Sequence, residues 1–324
     1  MTNKPVQHCP ATAAHDDFLR DFRAALQSDP PAIPCKHLYD ARGSALFEAI
    51  CKSPDYYLTR ADLSLHEAHA AEMAAAIGPN AHLIELGSGS GIKTERLLAA
   101  LESPRAYTAI EISAKALEQS VARLKSRFPA LEIHPLQTDY TQPIPDHAFA
   151  LEPPARRRAL YFPGSTIGNF GHSEARAFLG RIARMAGDDG LALIGVDRIK
   201  PREVLERAYD DRDGVTAEFN RNLLARAQRE LGADLELDAW RHRAVYNQSR
   251  SRVELYLEAV RPTSIRLGGL VRRFAAGERI HTENSHKYTE AGFAALLKGT
   301  GLRIVRHWTD PEQRIFMFLL GSGS

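Results

Sequence analysis

The stretch Leu83-Ile84-Glu85-Leu86-Gly87-Ser88-Gly89-Ser90-Gly91 decides the fold of this chain. It begins as an apolar strand and then breaks into three glycines at alternate positions. Glycine lets the backbone turn sharply and approach a ligand closely, because no side chain stands in the way. Twenty residues after this loop, Glu111 ends a second apolar region, where its carboxylate can accept hydrogen bonds from a ribose diol. The loop and the acidic residue together predict a binding site for a nucleoside-bearing cofactor.

The spacing of the glycines indicates which cofactor this is. A dinucleotide-binding loop has the pattern Gly-x-Gly-x-x-Gly, but here Ile92 stands at the third glycine position of that pattern. The sequence from Glu85 resembles the first motif, Glu-x-Gly-x-Gly-x-Gly, of Rossmann-like methyltransferases. The loop therefore favours S-adenosylmethionine over NAD. A dinucleotide enzyme and a purely structural glycine turn are the alternatives.

Composition and charge limit the class of protein. The chain has 324 residues, of which 44% are hydrophobic, enough for one large domain or two ordinary ones. Its 42 basic and 40 acidic residues give a formal net charge of +2, which argues against nucleic-acid binding and against binding to an anionic membrane. We interpret the basic cluster Arg156-Arg157-Arg158 as a solvated loop rather than an RNA contact. We expect a monomer that acts on a small molecule.

The cysteines and histidines show no metal-binding pattern. The three cysteines, Cys9, Cys35 and Cys51, cannot all pair, and none stands in a Cys-x-x-Cys spacing, which fits a reducing compartment. The thirteen histidines are scattered, without a His-Glu-x-x-His motif. The N-terminus lacks the apolar core of a secretory signal, and no run approaches the ~20 apolar residues of a membrane span. We therefore predict a cytoplasmic protein that binds no metal.

Strand-like and helix-like segments alternate through the middle of the chain, which predicts an α/β doubly wound core. The expected buried strands are His82–Leu86, Ala106–Ile112, Ile133–Thr138, Ala159–Pro163 and Leu191–Val196. The expected helices are Lys93–Leu101, Lys115–Phe128 and Ser173–Met185, the last with Ser173 as its N-cap. Near the C-terminus, Leu302–Trp308 and Arg314–Leu320 predict a hairpin at the sheet edge, followed by a flexible tail over 321–324.

Between these two parts the chain follows a different pattern. Val204–Tyr209 and Thr216–Leu231 are typical of helices, and the next runs alternate like strands of an antiparallel sheet: Ala244–Asn247, Arg252–Ala259 and Ser264–Leu267. We interpret this segment as part of a second, α+β domain that also includes the N-terminal residues. The predicted division gives 62–200 and 290–324 to the cofactor-binding domain, and 1–61 and 201–289 to the substrate-binding domain.

Six motifs outside the glycine loop narrow the function. In chain order they are YDARGSALF at 39–47, PDYYLTR at 54–60, GSTIGNF at 164–170, AYDD at 208–211, GVTAEFNRN at 214–222 and TENSHKY at 282–288. In this order they resemble the histidine Nα-methyltransferase family of ergothioneine biosynthesis. The resemblance extends from about Tyr39 to the C-terminus.

The resemblance implies a fold, an activity and a set of site residues. The fold is a Rossmann-like methyltransferase core, with a seven-stranded sheet and a C-terminal antiparallel hairpin, plus a discontinuous α+β substrate domain. The activity is S-adenosylmethionine-dependent trimethylation of the α-amine of free L-histidine to hercynine. The implied cofactor residues are Gly87, Lys93, Glu111, Asp139 and Tyr140, together with Ser88 and Gly89 of the same loop. The implied histidine-binding residues are Tyr56, Asn169, Tyr209, Leu255, Glu283 and Ser285, with Tyr39 beside the reacting amine and Tyr39 and Tyr56 as the catalytic pair.

These residue types suit the chemistry. Asn169 and Tyr209 can donate hydrogen bonds to a free carboxylate. Glu283 and Ser285 are two residues apart, so on an extended segment their side chains point the same way and can reach both imidazole nitrogens. Tyr39 is assigned mainly to orienting the amine, because a phenol with an ordinary pKa of ~10 is a poor base at neutral pH. Without the resemblance, the tyrosines would be assigned to the core, Asn169 to a turn, and Glu283 and Ser285 to a solvated pair or helix cap.

Two positions depart from the family pattern, and two alternatives stay open. Glu111 stands where the family more usually has aspartate, and Leu255 where it commonly has methionine. Leu255 prompts an alternative in which the substrate is another free amino acid, such as tryptophan or tyrosine. Glu283 argues against this, because an apolar ring offers its carboxylate no partner. The second alternative is a non-catalytic protein that binds S-adenosylmethionine.

Overall fold

The computed structural model describes residues 11–89 and 91–323, without the side chains of 11–14. Cys9, Ser90 of the glycine loop and Ser324 of the predicted tail lie outside the described residues. The described chain forms two compact units. Of the described residues, unit 1 takes 58–199 and 287–323, and unit 2 takes 11–57 and 200–286. The cofactor and substrate roles predicted for two such domains stay predictions.

Helices and strands are numbered in chain order. The helices of the described residues are α1 Ala11–Gln27, α2 Ala41–Lys52, α3 Tyr57–Ile77, α4 Ile92–Ala100, α5 Ala114–Arg127, α6 His172–Ala186, α7 Arg202–Tyr209, α8 Val215–Leu231 and α9 Glu290–Leu297. The strands are β1 Ala81–Leu86, β2 Ala106–Glu111, β3 Glu132–Gln137, β4 Arg157–Phe162, β5 Leu191–Asp197, β6 Trp240–Asn247, β7 Arg252–Ala259, β8 Thr263–Leu267, β9 Leu270–Phe274, β10 Arg279–His286, β11 Leu302–Thr309 and β12 Ile315–Ser322.

Unit 1 is built on a seven-stranded sheet in the order β11-β12-β5-β4-β1-β2-β3. The strands β1 to β5 pair in parallel, and β12 pairs antiparallel with both β5 and β11. This confirms the predicted Rossmann-like methyltransferase core with its C-terminal antiparallel hairpin. Because β1 lies between β4 and β2, the direction in which successive strands are added reverses beside β1, which in such sheets creates a ligand-binding crevice at the carboxyl ends of the strands.

The central strands of this sheet are buried on both faces, whereas the edge strands β3 and β11 are partly exposed. Ile84 and Phe162 pack into a core on one face, together with residues of α6 and α9. Their neighbours Leu83 and Tyr161 point the other way, into a second core that includes residues of α3, α4 and α5. This two-sided burial explains why β1 and β4 are nearly continuous apolar runs rather than alternating ones.

Two local predictions in unit 1 are wrong. Ser173 is not the N-cap of α6: the helix has Gly171 as its N-cap, and the Glu174 carboxylate accepts a hydrogen bond from the Gly171 N–H at 2.8 Å. The predicted flexible tail belongs in part to β12, where Gly321 pairs with Leu191 and Arg303. The hydrogen-bond ladders on both sides of β12 hold this segment in the sheet.

Unit 2 has a three-stranded antiparallel sheet in the order β10-β7-β6 and a separate β8-β9 hairpin. Helix α8 packs against α2 and against β6. The sequence predicted β7 and most of β8, but it did not predict β9 or β10 as strands. No helix among the residues that the structure describes is long and apolar enough to span a membrane.

Candidate cofactor and substrate sites

The glycine loop leaves β1 in a conformation that its glycines make possible. Gly87, Gly89 and Gly91 have φ values of 79°, 48° and 71°, in the left-handed region that side chains disfavour. The N–H groups of Gly87 and Ser88 donate to the carbonyl of Ile110 at 2.8 and 3.1 Å, which ties the loop to the end of β2. Helix α4 then begins at Ile92. Its N-terminus follows the loop directly, as in nucleotide-binding sites.

Glu111 lies beside this loop at the carboxyl end of β2. One carboxylate oxygen, Oε2, accepts a hydrogen bond from Gly89 N–H at 3.2 Å, and Oε1 accepts one from Ser113 N–H at 3.0 Å. An ionised carboxylate has about four acceptor sites, so these two bonds fix its orientation while leaving it able to accept from ribose hydroxyls. The glutamate at this position therefore suits the predicted role.

Asp139 and Tyr140 follow β3 at the same edge of the sheet. Oδ1 of Asp139 accepts from the backbone N–H and the hydroxyl of Thr141, at 2.8 and 2.6 Å. The ring of Tyr140 packs 5.4 Å from that of Phe162. A Cβ on Gly87 would lie 3.4 Å from this ring, so Tyr140 lies close to the loop and a side chain at position 87 would fill the space between them. Residues predicted from three separate strand ends thus meet at one place in unit 1.

Glu85, the acidic residue of the glycine motif, points into the protein rather than toward a ligand. It is 1% exposed, and its carboxyl group accepts hydrogen bonds from the hydroxyls of Thr94 and Tyr107. Burial raises the pKa of this carboxyl to about 7, against the lowering effect of those hydroxyls. The group links β1 to α4 and β2 beneath the loop.

Lys93 forms an ion pair that the sequence did not predict. Its Nζ lies 2.8 Å from Oδ2 of Asp62, a residue of α3. The same oxygen accepts a hydrogen bond from Gly164 N–H at 3.0 Å, just after β4. Asp62 has no motif of its own, and the only local signal is that it follows the PDYYLTR segment by two residues.

The residues predicted to bind histidine lie mainly in unit 2. The phenol oxygen of Tyr209 is 2.7 Å from Oγ of Ser285, and the rings of Tyr209 and Tyr56 pack at 6.0 Å. Glu283 pairs directly with Leu255 across β10 and β7, so the two side chains are neighbours on one face of the sheet. Glu283 and Ser285 lie two residues apart on the strand β10, the arrangement in which both side chains point the same way.

Tyr39 belongs to an aromatic cluster in the same unit. Its ring lies 5.5 Å from that of Phe47 and 5.4 Å from that of Phe219, and Phe47 lies 6.4 Å from Tyr56. Burial, followed by the nearby Tyr209, raises the pKa of the Tyr56 phenol well above its usual value. The phenol of Tyr56 therefore stays protonated at neutral pH, and its role in the reaction stays a prediction.

Asn169 is the one predicted substrate residue that lies in unit 1. It ends a short turn after β4, in which Ser165 has a φ of 60°. Its role in binding a carboxylate stays a prediction.

A cluster in unit 2 bears on the predicted lack of a metal. Ligand-type atoms of Asp17, Asp21 and His37 lie within 4.8 Å of one another. The ammonium of Lys36 forms ion pairs with both aspartates, and His37 Nε2 lies 2.9 Å from Asp21 Oδ2. Arg20 also pairs with both aspartates, so the two carboxylates face two cations. The lack of a metal stays a prediction.

The sheet order and the glycine loop with its neighbours define a Rossmann-like methyltransferase. More narrowly, the chain belongs to the family of histidine-specific, S-adenosylmethionine-dependent methyltransferases, whose family model matches residues 18–322. It is 37% identical to histidine N-alpha-methyltransferase of Mycolicibacterium smegmatis, over 96% of this chain and 97% of that protein. It is also 37% identical to the Mycobacterium tuberculosis protein of the same name, over 94% and 95% of the two chains. Ergothioneine biosynthesis protein 1 of Neurospora crassa is 33% identical over 86% of this chain, which corresponds to 32% of that protein. The resemblance predicted from the six motifs is confirmed.

Proposed function

We propose that this enzyme transfers methyl groups from S-adenosylmethionine to the α-amine of free L-histidine until hercynine is formed, a step of ergothioneine biosynthesis. The observation that carries the proposal is the buried polar group of Tyr209, Glu283 and Ser285 in unit 2, which are 5%, 8% and 3% exposed. Hydroxyl groups both donate and accept hydrogen bonds, and a carboxylate accepts them. This set can therefore bind a polar ring such as imidazole, and the names of the relatives point to the same substrate.

Each side chain of this set has a distinct role. The Glu283 carboxylate accepts a hydrogen bond from a ring N–H of the substrate, and the Ser285 hydroxyl forms a hydrogen bond with the second ring nitrogen. The hydroxyls of Tyr209 and Ser285 are hydrogen-bonded to each other at 2.7 Å, so each orients the other. Tyr209 is assigned to the substrate carboxylate. Asn169 has a carboxylate-binding role from the family resemblance only.

The aromatic cluster suits an amine that gains methyl groups. Each methylation removes an N–H donor, and the trimethylated product keeps a permanent positive charge. Aromatic faces such as those of Tyr39, Phe47 and Phe219 attract an alkylated ammonium without needing an N–H donor. The phenol of Tyr39 orients the amine, and that of Tyr56, whose pKa is raised by burial, stays protonated and donates. We assign no proton acceptor among the two tyrosines, and deprotonation of the amine through water is consistent with this arrangement.

The cofactor-binding residues are those of unit 1. Gly87, Lys93, Glu111, Asp139 and Tyr140 would hold S-adenosylmethionine, with Ser88 and Gly89 completing the loop. When bound, it supplies an electrophilic methyl group on a sulfonium sulfur. The space beside Gly87 that a Cβ would fill next to Tyr140, and the Glu111 carboxylate fixed beside the loop, form a cradle that fits a nucleoside. No covalent nucleophile is required, since holding the reactants in line can contribute ~7–11 kcal/mol of barrier reduction.

A second candidate substrate rests on Leu255. This side chain is 1% exposed and lies opposite Glu283 in the β7–β10 register. A leucine there changes the shape of the wall next to the imidazole-binding carboxylate. A related amino acid such as tryptophan or tyrosine is the alternative substrate that this position favours.

Histidine and two of its analogues test the proposal. The purified protein is incubated with S-adenosylmethionine and with histidine, histidinamide or Nα-acetylhistidine, and the products are analysed by mass spectrometry. We expect up to three methyl groups on histidine, much slower methylation of the amide, and none of the acetylated compound. Methylation of Nα-acetylhistidine would place the reaction on the ring and contradict the proposal. Unmethylated histidine together with tight binding of S-adenosylmethionine would instead support the non-catalytic alternative.

A further inference from the structure

The predicted cofactor lysine, Lys93, is paired with a buried carboxylate, that of Asp62. Asp62 is 2% exposed, and its Oδ2 contacts both Lys93 Nζ at 2.8 Å and Gly164 N–H at 3.0 Å. Burial alone would raise the pKa of this carboxyl, but the charge of Lys93 and hydrogen bonds from His66 and Lys93 outweigh it and hold the pKa well below the usual range. Asp62 is therefore ionised and takes part in a fixed ion pair.

Asp62 is also contacted by the buried side chain of His66. His66, one turn further along α3 and 0% exposed, donates from Nδ1 to the Asp62 carbonyl at 2.7 Å, and the same nitrogen lies 3.2 Å from Oδ1. The Tyr161 hydroxyl, in β4, lies 2.5 Å from the other ring nitrogen. The chain of contacts from Tyr161 through His66 to Asp62 is buried throughout.

Lys93 lies at the crevice rather than beneath it. It is the second residue of α4, directly after the glycine loop, and its side chain is 28% exposed. The loop after β4 passes so close that a Cβ on Gly164 would be 3.1 Å from Nζ. The ammonium therefore sits between the carboxyl ends of β1 and β4, where the strand order reverses and where ligands bind in such sheets.

We propose that Asp62 is a positioning residue, which holds the Lys93 ammonium in the β1–β4 crevice so that it binds the carboxylate of the amino-acid end of S-adenosylmethionine. This rests on the proposed function, because that function makes Lys93 a cofactor residue. A lysine ammonium has three N–H donors and a flexible stem. The bond to Asp62 uses one donor and removes the freedom of the stem, so less entropy is lost when a ligand carboxylate binds. Lysine without this partner would lose that pre-organisation.

The test compares two ligands that differ in the group Lys93 is proposed to bind. S-adenosylhomocysteine has the amino-acid carboxylate, and 5′-methylthioadenosine has the same nucleoside without it. We expect Asp62→Asn to weaken binding of S-adenosylhomocysteine by ~10-fold or more, the scale of one charge-assisted hydrogen bond, and to leave binding of 5′-methylthioadenosine nearly unchanged, both measured by calorimetry. Lys93→Met should show the same selective loss, and the double variant should lose little more than either single one.

Two further variants keep the inference testable. Tyr161→Phe removes the hydroxyl at His66 but keeps the Asp62 carboxylate, so it should give a smaller loss with the same selectivity even if Asp62→Asn does not fold. Thr300→Val is the matched control: this buried hydroxyl donates to Leu297 at the opposite edge of the same sheet, and its loss should affect neither ligand.

The outcomes separate the two proposals. Equal weakening of both ligands by Asp62→Asn and Tyr161→Phe would assign Asp62 to the fold alone and overturn the inference. Unchanged affinity for both ligands would overturn it too. If the wild-type protein binds neither ligand, the proposed function fails first, and the positioning role of Asp62 fails with it.

Discussion

The phenol oxygen of Tyr209 lies 2.7 Å from Oγ of Ser285, although the two residues are 76 positions apart in the chain. Both are buried, Tyr209 at the end of α7 and Ser285 in β10. Two hydroxyls in one hydrogen bond act as a unit toward a ligand, because the proton that each gives decides what the other can donate. This pair is therefore the link between the carboxylate-binding and the ring-binding parts of the proposed histidine site.

Removal of either hydroxyl should weaken histidine binding non-additively. We expect Tyr209→Phe and Ser285→Ala each to raise the dissociation constant for histidine by the equivalent of about 1–2 kcal/mol. The double variant should lose clearly less than the sum, because each single change already breaks the shared bond. Isothermal titration in the presence of S-adenosylhomocysteine measures all four corners of the cycle. Strictly additive losses would mean that the two hydroxyls act on the substrate independently.

Tyr39→Phe should slow methyl transfer more than it weakens binding. The ring stays packed against Phe47 and Phe219, but the hydroxyl that orients the amine is lost. We expect kcat to fall by roughly 10²-fold, the scale of a misplaced reactant, with a much smaller change in KM. Tyr256→Phe is the control, because its hydroxyl donates to Glu254 on the face of β7 opposite to Leu255. Equal losses in kcat and in affinity for Tyr39→Phe would assign Tyr39 to packing.

Glu111 should contribute to cofactor affinity but not to histidine recognition. Glu111→Ala removes the acceptor for the ribose and also the anchor of Gly89 N–H, so we expect a loss of about 1–3 kcal/mol in the binding of S-adenosylhomocysteine. Glu111→Gln keeps one oxygen acceptor and should lose less. Glu95→Ala, which removes an exposed ion pair with Arg123, is the control. If Glu111→Ala binds S-adenosylhomocysteine as tightly as wild type, Glu111 does not belong to the site. NAD should bind to none of these proteins.

Glu85 should make the stability of the protein fall as the pH rises. Its pKa is about 7 in the folded protein against an ordinary value of 4.5, so between these values the folded state keeps a proton that the unfolded chain has lost. This stabilising contribution is complete below pH 4.5 and is lost as the pH rises through 7. The difference corresponds to about 3 kcal/mol.

The variant Glu85→Gln tests this directly. It keeps a hydrogen-bond acceptor and cannot ionise, so it should gain stability relative to wild type on going from pH 5 to pH 8, as measured by urea unfolding. The exposed Glu118, changed to glutamine, is the control and should leave the pH dependence as in wild type. Parallel stability curves for wild type and Glu85→Gln would show that burial of this carboxyl has no such effect.

The sequence predicted best what depends on local patterns. Each of the parallel strands β1 to β5 contains short apolar stretches between predicted helices, so its position followed from the local pattern, to within two residues. β10 was not predicted as a strand because several of its buried residues are polar, among them Glu283, Ser285 and His286. The place of β10 in the sheet comes from its pairing with β7, and no local sequence pattern indicates this pairing.

Contacts between distant segments were the other limit. Asp62 lies in a helix and has no motif, and its importance comes from Lys93 and Gly164, which are 31 and 102 residues away. The N-cap at Ser173 was wrong because Glu174 reaches back to Gly171 and moves the start of α6. The site residues taken from the family resemblance could be located by motif, but which of them touch one another could not.

The central claim, that the buried Glu283 and Ser285 recognise an imidazole, is tested most directly by amino-acid selectivity. Three proteins are compared: wild type, Glu283→Ala and the control Glu236→Ala, which changes an exposed residue paired with Arg261. Each is incubated with S-adenosylmethionine and an equimolar mixture of the twenty amino acids. Mass spectrometry then gives relative kcat/KM values. Wild type and Glu236→Ala should methylate histidine, up to three times, in strong preference to all others. Glu283→Ala should lower kcat/KM for histidine by the equivalent of about 1–3 kcal/mol in transition-state binding, and it should raise the relative rate for tryptophan and tyrosine. Adding Leu255→Val should raise that relative rate further. A wild-type preference for tryptophan or tyrosine, or an unchanged preference in Glu283→Ala, would contradict the account.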